Sequence, residues 1–151
     1  MPTALLIATA LGAATVGGVF FAFSSFVMKA LGQLPAPEGV AAMQRINVVV
    51  INPLFMGVFM GTVLLSLACV ALATGTARAG FGVAAGLLYA LGSFGVTMVF
   101  NVPRNNRLAR LDAASPDAAA YWPVYVREWS FWNHVRAAAA LAAALCAMLA
   151  L

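Results

Sequence analysis

The chain has 151 residues, 64% of them hydrophobic and 8% charged, whereas a soluble domain averages about 45–50% apolar residues with glycine included and about 25% charged. Eight Lys/Arg and four Asp/Glu cannot cover the surface of a water-soluble monomer of this size, and a disordered chain carries the opposite bias. The composition reads as an integral membrane protein forming a single domain, 1–151, and the net charge of +4, without stacking aromatics on a soluble scaffold, excludes nucleic acid as a partner.

Charge-free stretches cover 1–28, 46–77, 79–103 and 137–151. A bilayer core takes roughly 20 apolar residues as helix, so each of the first three crosses once. The segment 1–28 has no basic start, and its apolar run exceeds the roughly 7–15 residues of a signal peptide, so it is expected to stay as a span. The linker 32–45 contains Pro35 and Pro37, after which Glu38 opens a short helix with Met43, Arg45 and Ile46. A tight turn with Arg78 is expected from Gly75 to Gly80. Residues 101–128 are the longest polar stretch, with Pro103, Pro116 and Pro123 as breakers. The last charge-free stretch is short, and it spans only by drawing Trp129 to Arg136 into the membrane edge. The expected fold is all-α, a four-transmembrane-helix bundle with short interfacial helices in loops 1–2 and 3–4. The spans fall at about 3–28, 48–74, 80–101 and 130–151. Small residues four apart mark the packing faces: Gly57 and Gly61, Gly82 and Gly86, and Ala14, Gly18 and Ala22.

Four spans bring the polar residues to one membrane side. Helix 1 ends with Ser24, Ser25 and Lys29, and helix 2 begins with Asn47, Asn52 and Pro53. Helix 3 ends in Asn101-Val102-Pro103-Arg104-Asn105-Asn106, and helix 4 enters through Trp129, Trp132, Asn133, His134 and Arg136. All basic residues except Arg78 lie on this side, so loops 1–2 and 3–4 are expected to be cytoplasmic and the termini external. Interfacial trim accounts for Arg104, Arg107, Arg110, Arg127, Trp122 and Tyr125. It accounts less well for Asn52, Asn101 and Arg136, because polar groups at membrane depth face the bundle interior and pair there.

On a continuous helix, Trp129, Trp132, Asn133 and Arg136 share one stripe at i, i+3, i+4 and i+7. His134, two residues from Arg136, lies about 200° away around the axis. One His, two distant Cys (Cys69 and Cys146) and four scattered acids build no zinc or facial-triad iron site, so no metal and no other cofactor is expected.

These motifs carry a family resemblance. The run Phe20 to Met28, Met43-Gln44-x-Ile46-Asn47, Asn52-Pro53-x-Phe55-Met56, Thr97-x-x-x-Asn101-Val102-Pro103-x-Asn105-Asn106 and Trp129-x-x-Trp132-Asn133-x-x-Arg136 resemble the anthrone oxygenase-like family of small four-helix membrane proteins. Arg104 departs from the pattern, where leucine is expected. The resemblance implies a bacterial inner (cytoplasmic) membrane location. It also implies oxidation of an anthrone-like, apolar phenolic or quinol-like substrate by dioxygen without metal or flavin. In that reading Arg136 stabilises the substrate anion with Asn133, Asn101 and Asn105. Trp129 and Trp132 stack on the rings, and Asn47, Asn52 and Ser24 complete the binding face. His134 is the default base, with water or the substrate as rivals. The alternative is a non-enzymatic module that binds a quinone, lipid or partner helix through the same face. The oligomeric state stays open.

Overall fold

The structure, a computed structural model, describes residues 1–73, 75 and 78–151. The turn expected at Gly75–Gly80 includes residues 76 and 77, which lie outside the described residues. Among the described residues, four helices are long and apolar enough to cross a membrane: α1 (Thr3–Gly32), α3 (Pro53–Ala71), α4 (Ala79–Ala109) and α5 (Pro116–Leu149). A shorter helix, α2 (Ala36–Val49), joins the first pair. The chain is thus an all-α integral membrane protein, as composition and charge spacing predict.

Local chemistry sets the helix starts. Pro35 caps α2 and Glu38 sits in its first turn, where a carboxylate complements the helix dipole. At α3, the Asn52 Oδ1 accepts from the Phe55 amide at 3.0 Å and Pro53 occupies the first turn. At α5, Ser115 Oγ accepts from the Ala118 amide at 3.1 Å ahead of Pro116. The Asn52 and Ser115 side chains each supply a partner to an amide that has none within its helix, whereas Pro35 holds the N-cap position of α2 without a side-chain bond.

Two of the three prolines expected to break the 101–128 stretch do not. Pro103 falls just after the π-helical turn Thr97–Asn101 and within the first turn of Val102–Ala109. The hydrogen-bond ladder changes register at that point, so a missing N–H is tolerated. The short helix expected between the third and fourth spans is Val102–Ala109, which continues the third span as the last part of α4. Pro123 lies inside α5 with its ring exposed. An interior proline costs about 3 kcal/mol, but Trp122, Tyr125 and Trp129 around it are buried. Burial of each contributes about 1.5–3 kcal/mol, which outweighs the defect.

The spans pack in a ring in chain order, α1 on α3, α3 on α4 and α4 on α5, with α5 closing most extensively on α1. Short connections make neighbours antiparallel. At 34 residues, α5 is roughly 51 Å long, against a roughly 30 Å hydrocarbon core. Its N-terminal part therefore stands clear of the bundle and forms a cap with α2 and the ends of α1 and α4. Two large apolar cores result among the described residues, beside a small cluster of Ala10, Ala85 and Ala147. One, inside the bundle, gathers Val16, Phe20, Phe59, Tyr89 and the alanines of α5. The other, in the cap, gathers Met28, Val40, Met43, Leu108, Trp122, Tyr125 and Trp129.

The small-residue stripes divide. A Cβ on Gly86 would meet Val70 at 2.7 Å and the Ser66 backbone, so this position sets the approach of α3 to α4, whereas Gly82 faces only the side chains of Met1 and Leu6. Gly57, Gly61 and Gly18 have nothing within 4 Å, which corrects the packing role expected for them. On α1 the face in use is Ala10, Ala13 and Gly17 instead. A spacing of four defines a face without choosing which one, because lipid is as apolar as the bundle interior.

Gly86→Leu is expected to destabilise the protein by about 1–3 kcal/mol through overpacking, while Gly61→Leu stays within about 0.5 kcal/mol. Thermal unfolding of both variants in detergent checks the contrast.

Candidate functional site

The two cores meet at Arg136. Its residue is 6% exposed, and its guanidinium is gripped on several sides. Nε donates to Asn133 Oδ1 at 3.0 Å and Nη1 to Thr97 Oγ at 3.3 Å. The guanidinium carbon stands 3.8 Å over the Phe20 ring and 4.9 Å from that of Trp129. Such cation–π contacts are worth about 2 kcal/mol when desolvated. Among the described residues the one ion pair is Arg104–Glu128, at 3.0 Å, so Arg136 has no carboxylate partner. Only two of the five N–H donors of an arginine are bonded to protein here.

Asn133, on the next turn of the same helix, holds the arginine. Its Nδ2 donates to the Phe20 carbonyl at 2.8 Å and to Ser24 Oγ at 2.7 Å, which turns Oδ1 towards Arg136. The Phe20 carbonyl lies just before the π-helical turn Phe23–Val27 that contains Ser24. Thr97 and Asn101 come from the corresponding π-helical turn of α4. Asn101 Nδ2 donates to the Trp129 carbonyl at 3.2 Å, and its Oδ1 is buried without a partner. Asn105 Oδ1 accepts from both the Tyr125 hydroxyl and Trp129 Nε1, each at 2.8 Å.

These groups border a cavity of about 210 Å³, below the roughly 300–1,000 Å³ of sites for drug-sized ligands. All five helices line it. Its walls are mostly apolar, with Phe20 and Phe23 from α1, Met43 and Ile46 from α2, Phe55 and Phe59 from α3 and Val102 from α4. The polar lining is Asn47, Thr97, Asn105 and Arg136. Exposed Val48, Val49, Ile51, Leu54 and Met98 flank the junction of α2, α3 and α4, so the approach to the cavity from that side is apolar.

The structure brings together most of the residues singled out from sequence. Arg136, Asn47, Asn105 and Trp129 line the cavity, with Asn133 and Ser24 behind Arg136 and Asn101 behind Trp129. Three depart. Asn52 is the cap of α3, its Nδ2 bonded to the Val49 carbonyl at 3.0 Å, and it does not line the cavity. Trp132 lies off the cavity, stacked on Phe100 at 3.5 Å and 7°. His134 is exposed on the outer face of α5, because a two-residue step on a helix turns it from the Arg136 face. Arg104, the departure from the family pattern, is satisfied by Glu128 and by the Phe100 carbonyl at 2.8 Å. Sequence reasoning missed Thr97 as a partner of Arg136, although the Thr97-x-x-x-Asn101 spacing points both side chains one way. It also assigned Tyr125 to interfacial trim, whereas its hydroxyl orients Asn105.

The profile of the family described as anthrone oxygenase matches residues 49–146. No curated protein and no solved structure gives a match.

Asn133→Ala leaves the buried Arg136 Nε without its partner and removes the side-chain bonds to Ser24 and to the Phe20 carbonyl, which keeps a backbone amide. An expected loss of about 1–3 kcal/mol is read by unfolding in detergent, with Ser24→Ala costing less because only one bond disappears.

Proposed function

The chain belongs to the anthrone oxygenase family, and from that premise we propose that it is a cofactor-independent monooxygenase. Its substrate is an apolar phenolic or anthrone-like molecule drawn from the bilayer. The observation that carries this reading is the buried Arg136 guanidinium, facing an apolar cavity with no carboxylate to neutralise it. A buried cation without a counter-charge is costly, and a ligand anion supplies the missing charge.

The chemistry follows from that charge. An anthrone-type methylene is acidic because its conjugate base spreads charge onto the ring-ketone oxygen. Arg136, pre-oriented by Asn133 and Thr97, stabilises that oxyanion and favours loss of the C–H proton. The cavity lining has no carboxylate or imidazole, so water takes the proton and His134 plays no part. The carbanion carbon transfers an electron to dioxygen, and recombination forms a C–O bond. The resulting peroxide anion regains a proton. Cleavage of its O–O bond with loss of the remaining C–H proton gives the ketone and one water. The balance is one methylene compound plus dioxygen to one ketone plus water. Preorganised donors of this kind contribute typically 10²–10³-fold each. Trp129 and the phenylalanines supply the ring-binding walls.

In this reading the protein sits in a bacterial cytoplasmic membrane with its basic, cavity-bearing end inside, and the apolar approach beside α2 admits substrate from the lipid. The absence of a protein base from the lining favours a second reading, a module that binds a quinone or lipid without turnover.

Oxygen uptake by the detergent-purified protein with emodin anthrone decides between them. Wild type is expected to exceed the spontaneous background, Arg136→Ala to lose about 10²-fold or more, and His134→Ala to match wild type. Uptake no faster than background, or unchanged by Arg136→Ala, overturns the oxygenase reading.

A further inference from the structure

Arg136 occupies one part of the cavity; a second set of donors faces another. Asn105 Oδ1 accepts two hydrogen bonds, from the Tyr125 hydroxyl and from Trp129 Nε1. Both neighbours are donors, and an indole N–H is donor only. The amide therefore cannot flip without setting its own NH₂ against an N–H. Its Nδ2 has no hydrogen bond to protein, and the residue lines the cavity. Asn47, reaching the same cavity from α2, lies beside the same Tyr125 hydroxyl. Its Nδ2 is buried and makes no well-aligned hydrogen bond, and the Tyr125 hydroxyl can serve only one of its two N–H groups, so at least one is unpaired. An unpaired buried N–H₂ costs about 1–3 kcal/mol, so its retention in an apolar wall points to an acceptor absent from the protein. Trp129 lies between the two donor sets. Its ring faces the Arg136 guanidinium, and its N–H edge holds Asn105.

We propose that Asn47 and Asn105 form a second oxygen-recognition subsite, separated from Arg136 by the Trp129 indole, so that the cavity reads a planar aromatic molecule carrying oxygen acceptors at two separate positions. Tyr125 is a positioning residue that acts through Asn105. The inference rests on the oxygenase reading only for its chemical consequence. With the substrate oxyanion at Arg136, the Asn47 and Asn105 amides donate to the oxygen newly bonded to carbon, first as peroxide and then as the second ketone.

Two non-reacting probes of similar size test this by calorimetric titration in detergent. They are 2,3-dimethyl-1,4-naphthoquinone, with two opposed carbonyls, and 1-tetralone, with one. Wild type is expected to bind the quinone about tenfold tighter than the ketone, the worth of one good hydrogen bond. Asn47→Leu removes a donor that makes no well-aligned hydrogen bond in the protein. It is expected to leave thermal stability unchanged or raised, while quinone affinity falls about tenfold and ketone affinity holds. A purely structural Asn47 would show the reverse, lost stability with unchanged selectivity. Asn105→Asp keeps the acceptor for Tyr125 and Trp129 but replaces Nδ2 by oxygen, and is expected to narrow the quinone preference in the same way. Equal affinity of wild type for both probes, or an unchanged ratio in Asn47→Leu, overturns the subsite. Neither probe is turned over, so these outcomes are separate from the oxygen-uptake result, which tests the reaction alone.

Discussion

A guanidinium buried without a carboxylate is the constraint on which this architecture turns. Taking a charge out of water carries an effective penalty of several kcal/mol even after relaxation, and here no counter-ion offsets it. The protein uses dipoles and π-faces instead. An amide oxygen, a hydroxyl and two aromatic rings surround Arg136. Each element must then be placed so that its contribution points inward, and the polar ends of the helices are organised around that demand.

Two of the three π-helical stretches among the described residues follow from it, the third being Leu88–Gly95, earlier in α4. α1 and α4 both change to π-helical turns at the level of Arg136, over Phe23–Val27 and Thr97–Asn101. Such turns interrupt the i→i−4 ladder and swing side chains that regular helix would send elsewhere. They deliver Ser24 to Asn133, Thr97 to Arg136 and Asn101 to the Trp129 carbonyl. The cap contributes the other half. By lying across the bundle end, α2 brings Met43, Ile46 and Asn47 over the cavity. Its Gln44 Nε2 ties it to the end of α4 through the Leu108 and Leu111 carbonyls, both at 2.9 Å. The cavity is thus a gap between two separately packed cores, walled by membrane helices and floored by the cap.

Family membership and geometry bear on different questions. Membership fixes the lineage, and the site carries the chemistry. What supports an oxygenase is the coincidence of a fixed cation, oriented amide donors and an apolar enclosure, the combination that stabilises an extended organic anion. What a protein base would otherwise supply falls to the acidity of the substrate itself.

Composition and periodicity carried the fold far. The scarcity of charge gave four spans, and the one-sided placement of polar residues gave the end that holds the site, because lipid forbids unpaired polar groups almost anywhere else. The Trp129, Asn133 and Arg136 stripe was likewise legible, since helical spacing alone aligns it, and the same spacing set His134 apart. Three things were decided only by the tertiary structure. Gly57 and Gly61 carry a packing motif yet face outward, because an all-apolar helix has no moment to choose its face. Pro103 and Pro123 read as stops yet lie within helices, because a π-turn absorbs one and aromatic burial in the cap outweighs the other. Asn52 and Asn105 are the same residue type in similar polar surroundings, yet one caps a helix and the other lines a cavity. That difference comes from which neighbours occupy the carbonyl of each amide, and those neighbours are brought together only when the two cores close.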